Sequence, residues 1–177
     1  MHILEFPEFR QTFDYDCGAK SLEAILAYYG INANEIDLIN LAGTNDDHGT
    51  PINGIKKVAR HFGFKVAIKA MTIAEIKKYL DQDKPVLLML QAWSKQKIKN
   101  WKKHWDHGHF VIAVGYDKDK IYFEDPYVNV KTYLTYKELL QRWHDIDTTS
   151  QTKYNNLGIL FYGKRKKYSA NKIIHMD

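Results

Sequence analysis

The hydrophobic pattern of this chain changes period once, and that change constrains the fold more than any other feature. Up to about residue 80 apolar residues recur every three or four positions, as they do on the buried face of a helix. Leu22, Ile25, Leu26 and Tyr29 fall on one face of residues 18–30, which close on Gly30, a residue suited to a helix C-terminus. Asn34 and Asp37 open a second short helix carrying Ile36, Ile39 and Leu41. Thr50 and Pro51 supply a cap and first-turn proline for a third, with Ile52, Ile55, Val58, Ala59 and Phe62 as its apolar face and Gly63 as its stop. A short strand near residues 64–69 leads to a helix whose capping box is Thr72 with Glu75. Beyond Lys84 the spacing gives way to the continuous apolar runs 85–91 and 109–116, the signature of strands buried on both faces. A turn at 117–120, a strand ending at Asp125, a strand near 130–134, a helix opened by the second capping box Thr135 with Glu138, and a strand near 157–162 complete the body. Helices first and then a largely antiparallel sheet make an α+β domain.

At 177 residues one domain is expected, with a body over 1–163 and a basic tail over 164–177. The first ten residues lack a basic segment followed by an apolar run, and no stretch approaches the roughly 18 apolar residues of a membrane span. Neither a signal peptide nor a transmembrane segment is expected. The net charge of +5 lies largely in two clusters, 95–103 and 164–167, with no nucleic-acid reading motif beside them, so a nucleic-acid partner is not expected. The single cysteine excludes an internal disulfide, and a reducing, cytoplasmic setting follows.

That cysteine, Cys17, stands at the start of the first helix, where unpaired backbone N–H groups and the helix dipole favour a thiolate. A lone cysteine also serves as a small buried hydrophobe, so its surroundings decide. Gln11, six residues earlier, offers a side-chain amide that can donate to an oxygen turning negative during attack on a carbonyl; by itself it reads equally as a loop glutamine. His109 opens one apolar strand and Asp125 closes the next, so an antiparallel hairpin brings a base and the group that orients it to the same end of the sheet. Separately they would be a structural histidine and a turn aspartate. His104, His107 and His109 with Asp106 form a competing cluster, but no metal-binding frame accompanies it, and neither a metal nor a cofactor is expected. The Trp- and Lys-rich stretch 93–107 reads as an insertion between two strands: a helix covering the sheet, a substrate lip or a docking surface.

Together, Gln11-Thr-Phe-Asp-Tyr-Asp-Cys-Gly18, the box from Gly108-His109-Phe110 to Val114, and Glu124-Asp125-Pro126 resemble the peptidase family of bacteriocin exporters. Residues 49–63 are similar to that family's third helix, and the likeness spans roughly residues 9 to 145. The resemblance implies a papain-like fold and removal of double-glycine leader peptides, with Cys17 as nucleophile, His109 as base and then acid, Asp125 as its orienter and Gln11 as oxyanion donor. It implies a peptide or protein substrate and docking to a transporter or other membrane-associated partner, here by a stand-alone domain. Two other readings are carried forward: deamidation or transamidation of a protein glutamine by the same thiol site, and a peptide-binding module without catalysis.

Overall fold

The computed structural model describes residues 1–176. Its elements run β1 (His2–Ile3), α1 (Cys17–Tyr28), α2 (Glu35–Ala42), α3 (Ile52–His61), β2 (Lys65–Ala70), α4 (Ile73–Leu80) and β3 (Val86–Gln91), then β4 (Gly108–Tyr116), β5 (Lys120–Glu124), β6 (Thr132–Thr135), α5 (Tyr136–Arg142), β7 (His144–Asp147), β8 (Thr152–Asn155) and β9 (Leu157–Tyr162). A single 3₁₀ turn, Trp101–Lys103, interrupts the connection from β3 to β4.

The helices begin where local chemistry starts them. Asn34 caps α2 by accepting from the backbone N–H groups of Ile36 and Asp37, and both expected capping boxes close, at Thr72 with Glu75 and at Thr135 with Glu138. The start of α3 differs from the expectation. Pro51 takes the cap position itself, Thr50 turns its hydroxyl onto Thr44, and the Ile52 N–H is satisfied by the Asp147 carboxylate, 95 residues away in sequence. A residue from a distant hairpin has replaced the local cap.

All strand pairs are antiparallel, and the main sheet runs β2-β9-β3-β4-β5-β6. β1 pairs with the far end of β4, at Gly115 and Tyr116, beyond the last residue that β3 covers. Every residue of β3 is buried, as its unbroken apolar run requires. α1 lies on β4, sealing Leu22, Ile25 and Leu26 against a core that includes Val111, Ile112 and Val114. Burying each such side chain contributes about 1.5–3 kcal/mol, so the orientation of α1, and with it Cys17, is set by the core.

A two-stranded hairpin, β7 with β8, lies off the main sheet and was not anticipated. The 93–107 connection is not the cover helix that sequence allowed: only the 3₁₀ turn is helical. Its aromatics are fixed one by one, Trp101 under the Arg142 guanidinium at 3.9 Å and Trp105 on the His144 ring at 4.4 Å. The basic segment after residue 163 begins against the body, where the N–H groups of Lys167 and Tyr168 both donate to the Tyr28 carbonyl. Among the described residues no helix is long and apolar enough to cross a membrane.

Candidate active site

Cys17 is the first residue of α1 and is half-buried. The residue before it, Asp16, is fully buried but does not cap the helix. Its carboxylate instead accepts from the N–H groups of Thr12 and Phe13, at 3.1 and 3.2 Å, which folds residues 12–16 into a tight loop. The first N–H groups of α1 are therefore left without a side-chain acceptor beside the thiol, the condition under which a helix start binds an anion. Burial and the neighbouring Glu35 push the Asp16 carboxyl up. Glu35 meets Lys20 at 2.8 Å, and Lys20 also meets Glu23 at 2.6 Å, so a charged chain braces the loop from behind. Gly18 is required here by space: a Cβ would stand 2.5 Å from the Thr50 Cβ and 3.0 Å from the Phe110 ring.

His109, from β4, is 7% exposed, and Asp125, one residue past β5, is 3% exposed. His109 Nε2 lies 2.7 Å from Asp125 Oδ1, which leaves Nδ1 as the ring nitrogen available to the thiol. Burial alone would lower the imidazole, yet the hydrogen bond to Asp125 and the neighbouring Cys17 thiol outweigh it and raise His109 to about 10 from an ordinary 6.5. Burial would likewise raise Asp125, and the His109 bond, with help from the Tyr127 N–H and the Trp93 indole, holds it below the usual range. Three of the four residues singled out in sequence thus meet.

Gln11 is tied to the same end of the sheet by its backbone N–H, which donates to the Pro126 carbonyl at 2.9 Å. Its amide nitrogen donates to the Phe13 carbonyl at 2.8 Å, while its own amide oxygen is buried without a partner. Turning this side chain toward the thiol breaks one hydrogen bond, not two. His104 and His107 do not join the site: they bond each other, and His109 points to Asp125 instead.

The thiol and the imidazole open onto a cleft of about 530 Å³. Asp14, Asp46, Asp47, Asp106, Asp145 and Asp147 line it, with no lysine or arginine among the lining residues, on a chain of net charge +5. The lining of the cleft is therefore acidic although the molecule as a whole is basic. Asp145, on the unanticipated hairpin, is buried; Gln91 donates to its Oδ1 at 2.8 Å, and burial raises its carboxyl to about 7. Gly108 leaves room for it, since a Cβ there would stand 2.0 Å from Asp145 Oδ2. Gln91 also accepts from the His107 N–H at 2.9 Å, joining β3, the connection and the hairpin. A glutamine closing an otherwise apolar strand was the one sequence signal of this network.

A thiol on a helix start facing an imidazole and carboxylate carried by an antiparallel sheet defines a cysteine peptidase domain of papain-like fold. The comparisons make this particular. The model of the Peptidase C39 family matches residues 5–153, and the chain belongs to that family. It is 31% identical over 139 residues to the lactococcin transport/processing ATP-binding protein LcnC-like of Lactococcus lactis subsp. lactis, covering 77% of this chain and 17% of that protein. It is 32% identical over 136 residues to the transport/processing ATP-binding protein ComA of Streptococcus pneumoniae, covering 75% and 17%. The match thus takes in about a sixth of the length of these relatives. Among solved structures, a putative C39-like peptidase from Bacillus anthracis superposes with a TM-score of 0.67 at 18% identity, covering 94% of this chain and 98% of that one. The peptidase domain of Streptococcus ComA superposes at 0.62 with 21% identity, covering 86% and 95%.

Proposed function

We propose that the domain hydrolyses a peptide bond in a leader or precursor peptide, with Cys17 as nucleophile, His109 as base and then acid, and Asp125 as its orienter. The observation that carries this is the pairing of an uncapped helix start bearing the thiol with a buried His109–Asp125 bond of 2.7 Å. Cys17 Sγ, its proton taken by His109, attacks the carbonyl carbon. The oxygen turning negative is held by the Cys17 N–H and by the Gln11 amide once it swings off Phe13. The C–N bond breaks as His109 protonates the departing amine, leaving a thioester on Cys17. Water then attacks the thioester, giving its proton to His109, and the acid leaves with the thiol restored.

The substrate class is supported by relatives named for transport and processing, and by a solved double-glycine motif protease in complex with the leader peptide. Docking to a membrane transporter from the cytoplasmic side belongs to the same proposal. The test is incubation with a synthetic peptide carrying a double-glycine leader, read by mass spectrometry against Cys17→Ala. Two fragments whose masses sum to substrate plus water are expected. An intact product in which one amide nitrogen has become oxygen would mean deamidation, and unchanged peptide bound equally by both proteins would mean a binding module.

A further inference from the structure

The carboxylate of Asp125 is held from two sides. Oδ1 accepts from His109 and from the Tyr127 N–H at 3.0 Å. Oδ2 accepts from the Trp93 indole N–H at 3.0 Å and from the Thr132 hydroxyl at 3.3 Å. Trp93 does not come from either strand of the His109–Asp125 hairpin. The β3–β4 ladder ends at Gln91 opposite Gly108, Ala92 makes one more bond to His107, and Trp93 is the next residue. There the backbone turns to φ +59, a left-handed conformation that a bulky aromatic rarely adopts. That turn sends the indole back across the sheet end, where its ring rests on Tyr127 at 5.0 Å, and Tyr127 in turn meets His109 edge-on at 6.4 Å. A strained backbone is retained where surrounding contacts over-determine it, and such sites cluster at active centres. Trp93 as a whole is 42% exposed, while Asp125 beneath it is 3% exposed.

We infer that Trp93 is a positioning residue for the proposed reaction: its indole N–H fixes the rotamer of Asp125, keeps water from its outer oxygen, and limits how strongly Asp125 holds the proton on His109. The chemistry is competitive. Each donor on a carboxylate stabilises its negative charge and lowers its basicity, so an N–H on Oδ2 weakens the pull of Oδ1 on the imidazolium. An unshared carboxylate would grip the proton harder and give it up to the leaving amine more slowly. This rests on the catalytic reading above and adds to it the first residue of the 93–107 connection.

The test is Trp93→Phe, which keeps an aromatic ring over Tyr127 and removes only the donor. NMR titration of the His109 ring in isotope-labelled protein reads its proton affinity without any substrate. The titratable groups facing His109 are Cys17, Asp125, Asp145 and Tyr127, and Glu124 faces Asp125, so the comparison is repeated in an Asp145→Asn background. Trp93→Phe is expected to raise the His109 midpoint by about half a pH unit and, by analogy with other supporting-shell changes, to lower kcat about tenfold with KM nearly unchanged. Thr132→Val, which removes the other donor on Oδ2, is expected to shift the midpoint the same way by less, and it keeps the test open if Trp93→Phe does not fold. An unmoved midpoint in a folded Trp93→Phe protein, or in Thr132→Val where only that variant folds, overturns the inference. Alkylation of Cys17 that His109→Ala leaves unchanged would instead overturn the catalytic reading, while the midpoint shift would still report the coupling from Trp93 through Asp125.

Discussion

The helical side and the sheet side of the site are built on opposite plans. On the helical side donor capacity is left open at the start of α1, from which Asp16 turns its carboxylate away, and only a single hydrogen bond to Phe13 holds the Gln11 amide N–H. On the sheet side it is filled, with four donors on Asp125 and the imidazole buried against it. The difference teaches where rigidity is needed. A group that orients a base must not move, whereas donors for a charge that appears only during reaction serve best when nothing else already holds them.

This contrast can be broken at several points. Cys17→Ala or His109→Ala removes one side outright, and cleavage of a double-glycine peptide is expected to fall by about 10⁶-fold, leaving only the residual rate that binding and the oxyanion donors supply. Asp125→Asn keeps the shape of the filled side but removes its charge; a loss of about 10⁴ in kcat is expected, with the His109 titration midpoint falling sharply in NMR. Gln11→Ala tests the open side, and a drop of about 10²-fold in kcat with intact folding is expected; unchanged turnover would leave the oxyanion to the backbone alone. Gly18→Ala presses a methyl onto Thr50 and Phe110, and urea unfolding should show a loss of about 1–3 kcal/mol.

The smallest effect concerns pH. His109 is raised above its unfolded value, so the stability it contributes is full below about pH 6.5 and is lost as pH rises through about 10. Asp145 is an acid raised to about 7, so its burial costs stability as pH rises from about 4 through 7. Thermal melting of Asp145→Asn is therefore expected to match wild type near pH 4 and to exceed it modestly at pH 8.

Much of this was legible before the fold. Both capping boxes and the Asn34 cap are contacts within three residues, and the last strand, Leu157–Tyr162, was bounded by its own apolar run. The Cys17, His109 and Asp125 trio was legible because each stands at the end of an element whose type its neighbours dictate. The β7–β8 hairpin was not, although His144-Asp-Ile-Asp147 followed by Thr-Thr-Ser carries an alternation and a turn, because a four-residue strand leaves too short a pattern. Asp145 was missed with it.

Sequence alone set most of the elements and their order, and singled out the residues proposed here as nucleophile and base, since periodicity and caps record which side of each segment must be buried. It did not set the partners that cross the molecule. That β9 runs between β2 and β3, that Asp147 caps α3, that Gln91 reaches Asp145 and that Trp93 folds back onto Asp125 depend on strand register and on one left-handed residue. Local spacing carries no information about these pairings, because the free energy that selects them arises only when distant surfaces close on a common core.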